Sequence, residues 1–470
     1  MQNLREIEIN ADDLVNALLS LESVRRLSLL DSCGLNGGGL LIAGFDPFEV
    51  IEVRKGRARI IDRDSDKIKF VDASALSVLD ERLAKYRLSS NADSYITSAA
   101  CITTFSYELA HQLERLRSVS VYRNEFEEPD AVFAFYDTLV VHDYDNGKTY
   151  ITGIHKDSRL KEIEDTIRNA RKFELSEVSL PSSAISNMTR GDYLRAIERI
   201  KDHIAAGDIY QANLTQRFKC ALPNQLTPEQ VFMRLRNEHP AAFSAFIRRS
   251  DDVVISISPE RFLRVENGED SRRIVAQPIK GTRPRGKNQT DDVRLRTELQ
   301  SSEKDRAENV MIVDLLRNDL GRICQYGSVE VEDLCRLEEH PTLFHLVSTV
   351  RGMLEDDVTA GDILRACFPC GSITGAPKIR AMEIINEIES VPRGLSMGAI
   401  GYFAFDGSID LNVAIRTMTV RDGVAEFNVG GGIVADSDPQ QEYEESLLKA
   451  GALFRAMGVQ ESSAGQITSR

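Results

Sequence analysis

From Ala399 to Val429 the chain reads as strands broken by turns. AIGYFAF runs into Asp406-Gly407, IDLNVAIRTMTV into Asp422-Gly423, and VAEFNV follows. Asp-Gly between apolar stretches is a strong short-range hairpin signal, because both residues tolerate positive φ. The segment therefore predicts a β-meander. Further strands are read at IYQANL (209–214), VVISIS (253–258, stopped by Pro259), LLIAGF, FEVIEV and VFAFYDTLVVHDY, with a hairpin turn at Asp145-Asn146-Gly147. Strands follow strands and do not alternate regularly with helices. That pattern favours an α+β architecture of antiparallel sheets over a βαβ fold.

Helix signals sit between these runs. Thr189-Arg190-Gly191-Asp192 reads as a capping box, Tyr193, Ile197, Ile200 and Ile204 recur at helical spacing, and Gly207 ends the helix. Ser301 or Ser302 can cap the helix EKDRAENVMIVDLLR. Asp438-Pro439 opens the last helix, QQEYEESLLKAGALFRAM, with proline at its first position. The Ser-rich stretch LSEVSLPSSAISN (175–187) reads as a linker. It separates an N-terminal region, 1–174, from a second region, 188–458, and a disordered tail is expected over 459–470. Gly37-Gly38-Gly39 is read as a loop.

Charge narrows the partners. Lys+Arg 58 against Asp+Glu 73 leaves −15 over 470 residues, so neither nucleic acid nor an anionic membrane is the expected partner. A small anionic ligand in a local basic pocket remains compatible with that surface. No apolar run reaches the length of a membrane span, and MQNLREIEINADDL has no signal-peptide core. Seven scattered cysteines point to reduced thiols and a cytoplasmic location. Cys367 and Cys370 match C-x-x-C without a second pair nearby, and are read as core residues.

Several constellations carry chemistry. Asp305 and Glu308 share one helix face, and Glu442 and Glu445 share another. Such pairs are either solvated acidic faces or hard oxygen ligands that suit Mg²⁺. Gly430, Gly431 and Gly432 follow a strand, as a flexible turn or as backbone that approaches an anion closely. Lys280, Arg283, Arg285, Lys378, Arg380, Arg416 and Lys449 collect in the second half. Arg416 stands inside the apolar strand VAIRTM, facing a ligand or a buried carboxylate, if not the surface. Glu260 ends a strand after Ser258-Pro259. Partly desolvated there, its carboxyl would hold a proton to donate; otherwise it is an exposed turn residue. His345 lies in the apolar run LFHLVSTV and reads first as a core histidine. Ser301-Ser302-Glu303-Lys304 matches S-x-x-K but lacks its companion motifs, and no nucleotide-binding fingerprint occurs.

Taken together, GDIYQANL, ISPERF, PIKGTRPRG, EKDRAENVMIVDLLRNDLGR, HLVSTV, FPCGSITGAPKIRAMEII, GAIGY, AIRTM and VGGGIVADSDPQQEYEESLLKA resemble the chorismate-utilising enzymes. These blocks cover 190–455 in one order, and the first 170 residues fit more loosely, through LLDSCG, TTFSYELAHQLERL and PDAVFAFYD. The resemblance implies the fold of anthranilate synthase component I, one α+β unit of two stacked antiparallel sheets with helices outside. Its N-terminal part is interwoven with its C-terminal part.

The resemblance also implies roles. Glu308 and Glu445 match the Mg²⁺ ligands, with Glu442 assisting through water. Gly281, Thr282, His345 and Tyr402 match positions lining the chorismate site. So do Arg416, Gly430, Gly431, Gly432 and Lys449. Glu260 matches the acid that protonates the departing 4-hydroxyl. Members that make anthranilate carry PIAGT where this chain has PIKGT, and lysine marks the branch that makes aminodeoxychorismate. There the Lys280 amine adds at ring C2 and ammonia then replaces it by adding at C4, which is covalent catalysis. The amine attacks only once deprotonated, which nearby cations and partial desolvation favour. Gln211 stands where isochorismate and salicylate synthases carry the lysine that activates water, so an ammonia-using reaction is expected. In this family the ammonia comes from a glutamine amidotransferase, here expected as a separate subunit. The alternatives are a large subunit of the anthranilate branch in which Lys280 does not react, and a non-catalytic chorismate-binding protein. The intact set Glu260, Lys280, Glu308 and Glu445 argues against the last.

Related enzymes build a tryptophan pocket around Leu-Leu-Glu/Asp-Ser. This chain has Leu29, Leu30, Asp31 and Ser32, then CGLNGGGLLIAG without the expected arginine and aromatic residue. Ser32, Ala242 and Phe243 are the candidate residues of such a pocket, and tryptophan binding is left open.

Overall fold

The computed structural model describes residues 3–459 except 22–25, 36–37, 64–66, 89–96, 115, 117–127, 155–156, 176–182, 269–270 and 341–342. Gly37, most of the expected linker and the tail from 460 onward lie outside the described residues.

Two sheets, each of twelve described strands, form the centre. The first runs in the order Asn3–Ile7, Lys148–Gly153, Thr138–Asp143, Leu40–Gly44, Ser28–Asp31, Phe243–Arg248, Val253–Ser258, Thr417–Arg421, Val424–Ile433, Gln211–Ala221 and Ala184–Ser186. Gly375–Ala376 pairs with Gln211–Ala221 beside the last of these. The second runs Ile279–Pro284, Leu343–Met353, Arg272–Gln277, Arg261–Asn267, Ile409–Val413, Ala399–Ala404, Ala100–Phe105, Ala131–Tyr136, Glu49–Arg54, Arg57–Asp62 and Ile68–Asp72. Glu330–Glu339 pairs with Leu343–Met353 outside that path. The named pairs are antiparallel. Both sheets draw strands from either side of 175–187, so this boundary divides the sequence and not the fold. Part of the expected linker, Ala184–Ser186, is itself a strand on Gln211–Ala221.

The sheets stack face to face. Ile42, Val141, Ala245 and Val254 of the first pack with Val50, Ile102, Val132, Ala134 and Ile400 of the second. Helices cover the outer faces. On the second sheet, Phe105, Phe133 and Leu263 meet Leu76 and Leu79 of helix Ala75–Tyr86, Ile312 and Leu316 of helix Glu303–Leu320, and Leu364 of helix Ala360–Cys367. On the first, Leu29, Ile255 and Phe427 meet Leu14 and Leu18 of helix Ala11–Ser20, Phe232 of helix Pro228–Glu238 and Phe454 of helix Pro439–Ala456. Burying each such side chain contributes about 1.5–3 kcal/mol, so truncating Phe133 to alanine should cost about 3–5 kcal/mol. Among the described residues no helix is long and apolar enough to cross a membrane.

The expected meander is two hairpins in different sheets. Ala399–Ala404 pairs with Ile409–Val413 in the second, and Thr417–Arg421 with Val424–Ile433 in the first. The chain changes sheets over 414–416. Arg416 is therefore outside the strands and not within one, at φ +48°. Gly430, Gly431 and Gly432, expected after a strand, lie inside Val424–Ile433.

Candidate active site

Lys280 owes its position to a fault in the strand. Ile279 pairs with Val347 but Thr282 pairs with His345, so the register slips across Lys280-Gly281. A bulge of this kind re-aims a side chain. Gly281 has φ +85°, and a Cβ there would lie 2.9 Å from both Asp305 Cβ and Leu299 Cδ1. Only glycine lets the bulge lie against the helix that carries Asp305 and Glu308. Lys280, half-buried, donates from Nζ to Ser372 O at 3.3 Å. Beside it the Thr282 hydroxyl and His345 Nδ1 lie 2.9 Å apart. Burial, with His340 and Arg416 adding, pushes His345 down to about 4, so its imidazole is neutral.

Two neighbouring corners supply the acid and a cation. The chain leaves Val253–Ser258 in the first sheet and enters Arg261–Asn267 in the second through Pro259-Glu260. The crossing over 414–416 runs beside it. Val413 N donates to Glu260 O at 3.0 Å, Ile257 N to Arg416 O at 3.1 Å, and the Ser258 hydroxyl to Val413 O at 2.6 Å. Glu260 is 5% exposed, and its Oε1 is buried without a partner. Burial raises its carboxyl above the ordinary value, although Lys280, the Ser372 hydroxyl and the Ile279 amide pull the other way. Burial also lowers Arg416, and no carboxylate among the described residues offsets that. A desolvated guanidinium without an anion invites an anionic ligand.

Carboxylates close another side. Glu308 projects from helix Glu303–Leu320, which Ser302 caps. Glu442 and Glu445 project from helix Pro439–Ala456, which Asp438 caps. Burial raises Glu308; Lys280 and Lys304 oppose this, while Asp305 and Glu442 add to it. Partial desolvation works against ionisation of Glu445 too, but Lys449, Lys304 and Lys280 outweigh it and hold the carboxyl below its usual range. Lys449 Nζ lies 2.8 Å from Glu445 and donates to Gly430 O at 3.1 Å. Lys304 Nζ is 3.6 Å from Glu442, which also accepts from the Ser437 hydroxyl at 2.7 Å.

The glycines join these helices to the strand Gln211–Ala221. A Cβ on Gly430 would strike Leu214 O at 1.8 Å, and one on Gly432 would strike Gln211 Nε2 at 2.1 Å. At Gly431 it would face Glu442 and Lys449 at 3.4 and 3.5 Å. The glycines serve close approach here, not turn flexibility. Gln211 is fully buried with Oε1 and Nε2 both unpartnered.

The structure thus gathers Lys280, Glu260, Gly281, Thr282, His345, Arg416, the carboxylates, Lys449 and the glycines. Other residues named from the sequence have partners of their own. Tyr402 packs in the inter-sheet layer, and its electrostatic neighbours are Asp410, Arg264, Asp406 and Arg261. Lys378 is buried against Asp319 at 2.6 Å, Arg285 pairs with Asp292 at 2.6 Å, and Arg380 reaches Asp208 at 3.2 Å. These cations serve the fold. Cys370 packs in the core with Cys367, and burial pushes its thiol up to about 11. Strands Ser28–Asp31 and Phe243–Arg248 pair, which sets Ser32 near Ala242 and Phe243. Arg236 and Tyr144 both reach Asp31 there, at 2.7 and 2.8 Å, supplying an arginine and an aromatic that the local sequence lacks. The Ser32 hydroxyl is buried without a partner.

Two participants escape sequence reading. Ser372 meets Lys280 through a main-chain carbonyl, which any residue possesses. Lys304, from the S-x-x-K decoy, faces Glu442 across two helices.

Among the described residues no three His, Cys, Asp or Glu side chains converge tightly enough to cage a metal alone. Mg²⁺ takes one or two carboxylates and completes its shell with water and substrate oxygens. Glu308 and Glu445 offer such hard oxygen donors from two helices, with Glu442 among the acidic groups that act on Glu308.

Comparison with known proteins bears on the chain as a whole. The family of chorismate binding enzymes matches residues 36–455. The chain is 35% identical to aminodeoxychorismate synthase component 1 of Bacillus subtilis (strain 168), over 92% of each chain. It is 34% identical to anthranilate synthase component 1 of Acetivibrio thermocellus, over 88% of this chain and 86% of that one. Its structure matches anthranilate synthase component I from Streptococcus pneumoniae TIGR4 with a TM-score of 0.77 at 29% identity, over 88% of this chain and 92% of that one.

Proposed function

The chain belongs to the chorismate binding enzymes, and from that premise we propose that it is the chorismate-acting component of an aminodeoxychorismate synthase, replacing the 4-hydroxyl of chorismate by an amino group. The observation that carries this reading is Lys280, raised on a bulge between the buried acid Glu260 and the glutamates of two helices.

Chorismate is a dianion, and Arg416 offers one carboxylate an unopposed guanidinium. Glu308 and Glu445 would hold Mg²⁺, with Glu442 behind them. Bound there, the ion supplies positive charge to the ring carboxylate. The deprotonated Lys280 amine forms a bond to ring C2 as the C4–O bond breaks. Glu260, its carboxyl raised by burial, gives its proton to the departing hydroxyl, which leaves as water. Ammonia then forms a bond to C4 and the C2–N bond to lysine breaks. The surplus proton of the ammonia returns to Glu260. The net exchange is ammonia in and water out, with the enolpyruvyl ether intact. One hard displacement becomes two easier ones. Gln211, neutral and buried, provides no base for water attack at C2.

Ammonia is supplied by a separate glutamine amidotransferase component, and the setting is cytoplasmic. The product serves 4-aminobenzoate formation for folate.

Turnover with chorismate, Mg²⁺ and an ammonium salt tests the reading. Aminodeoxychorismate should form without release of pyruvate. Anthranilate and pyruvate as main products would transfer the chain to the anthranilate branch, and no consumption would leave only binding.

A further inference from the structure

One more side chain in this site lacks a partner. Asn213 is 6% exposed, and its Nδ2 is buried without a hydrogen bond. It lies two residues after Gln211 in the strand Gln211–Ala221, so both carboxamides point to the same face. Its register partner is Gly432, where a Cβ would run into Gln211. Glycine there makes room for the Gln211 amide, on the same face as Asn213. The Asn213 backbone is pinned on either side: N donates to Thr374 O at 2.8 Å, and O accepts from Arg393 Nη2 at 2.6 Å. The same guanidinium donates to Ile373 O at 2.8 Å. Asn213 is therefore fixed against the turn whose Ser372 meets Lys280. A held but unsatisfied buried donor is costly unless a ligand satisfies it.

We infer that Asn213 is a substrate-recognition residue of this site, donating from Nδ2 to an acceptor oxygen of bound chorismate. This rests on chorismate being the ligand. Both reactants carry lone pairs, but they are not equivalent. Ammonia has a single lone pair, and that pair must be free to attack the ring. A donor placed on it would suppress the reaction. Chorismate offers carboxylate, ether and hydroxyl oxygens that can accept without loss of reactivity.

Two variants separate this role from a structural one. Asn213→Asp keeps the shape and replaces the donor by an acceptor. Asn213→Ala removes both. Each should raise KM for chorismate about tenfold or more and leave KM for ammonium unchanged. Calorimetric titration with chorismate and Mg²⁺ in the absence of ammonia should show the same weakening. An unchanged chorismate affinity in a folded Asn213→Asp protein overturns the inference, as does a shift confined to KM for ammonium. Should Asn213→Ala fail to fold, Asn213→Asp and its titration decide. Anthranilate as the wild-type product, with weakened chorismate binding in both variants, would overturn the product assignment and leave the Asn213 contact standing.

Discussion

Lys280 Nζ donates to the carbonyl oxygen of Ser372 at 3.3 Å, and the hydroxyl of the same serine acts against the rise that burial gives the Glu260 carboxyl. One turn residue thus lies beside both the amine and the acid of the proposed displacement. In the proposed reaction that placement would couple attack at C2 to protonation at C4.

Removing the amine tests that link. Lys280→Ala should abolish amination at C4, and anthranilate should appear as ammonia reaches the vacated C2. Intact-protein mass spectrometry of the wild type with chorismate and Mg²⁺, omitting ammonia, should show an adduct that the variant lacks. An unmodified wild-type mass during turnover would sink the covalent route.

The bulge should be as sensitive as the lysine. Gly281→Ala places a methyl group 2.9 Å from Asp305 and Leu299 in a backbone region that L-residues avoid. The strain, about 1–3 kcal/mol, is relieved only by moving the strand that aims Lys280. The variant should fold with a Tm lowered by several degrees and lose far more activity than stability. Thermal melts set beside kcat/KM check this, and retained full activity would show that the bulge does not aim the amine.

Local signals were legible and distant pairings were not. The Thr189 capping box, the Asp438 cap before Pro439 and the Asp145–Gly147 turn all form as their sequences predict, because each depends on a few adjacent residues. Arg416 was misplaced because the assignment of strands to sheets depends on partners far away, such as Val413 on Glu260. Gly430–Gly432 look like a turn by composition, and only the backbone of Leu214 and the side chain of Gln211 opposite explain them. Spacing alone could not separate Glu308 and Glu445 from solvated acidic faces. The structure adds that Lys304 of one helix lies 3.6 Å from Glu442 of the other, and that Lys280 and Lys304 act on both Glu308 and Glu445.

The two glutamates should differ from ordinary surface carboxylates in their dependence on Mg²⁺. Glu308→Gln and Glu445→Gln each remove one charge from the proposed ion site, while Ser302 and Asp438 still cap the helices. The Mg²⁺ concentration for half-maximal activity should rise at least tenfold in each. A Mg²⁺ titration of activity reads this directly, and an unchanged midpoint would remove that residue from the site.

His345 should mark the acid side of stability. Its folded value of about 4 lies below the ordinary 6.5, so the folded protein resists a proton that the unfolded chain accepts. The contribution is complete above pH 6.5 and is lost as pH falls through that value toward 4. The full difference is about 3 kcal/mol. His345→Asn should lose less stability than the wild type between pH 7 and pH 4.5 in urea titrations. Parallel losses would mean that another group dominates this range.

Glu260 gives the opposite slope. Its carboxyl is raised, so the folded protein keeps a proton that the unfolded chain releases near 4.5. Stability therefore falls as pH rises from 4.5 through the folded value. Glu260→Gln carries no such charge. It should match the wild type below pH 4.5 and exceed it in stability above, by a margin that grows until the folded carboxyl ionises. Between the two proteins, activity should run against stability. The wild-type rate needs the protonated acid and should decline as pH rises past the folded value. The variant should be slower by about 10²–10⁴-fold and lack that decline. Paired urea titrations and pH–rate profiles would show both effects in one protein. If Glu260→Gln is less stable than the wild type at neutral pH, the buried carboxyl is ionised and held by Lys280, and another group must protonate the 4-hydroxyl.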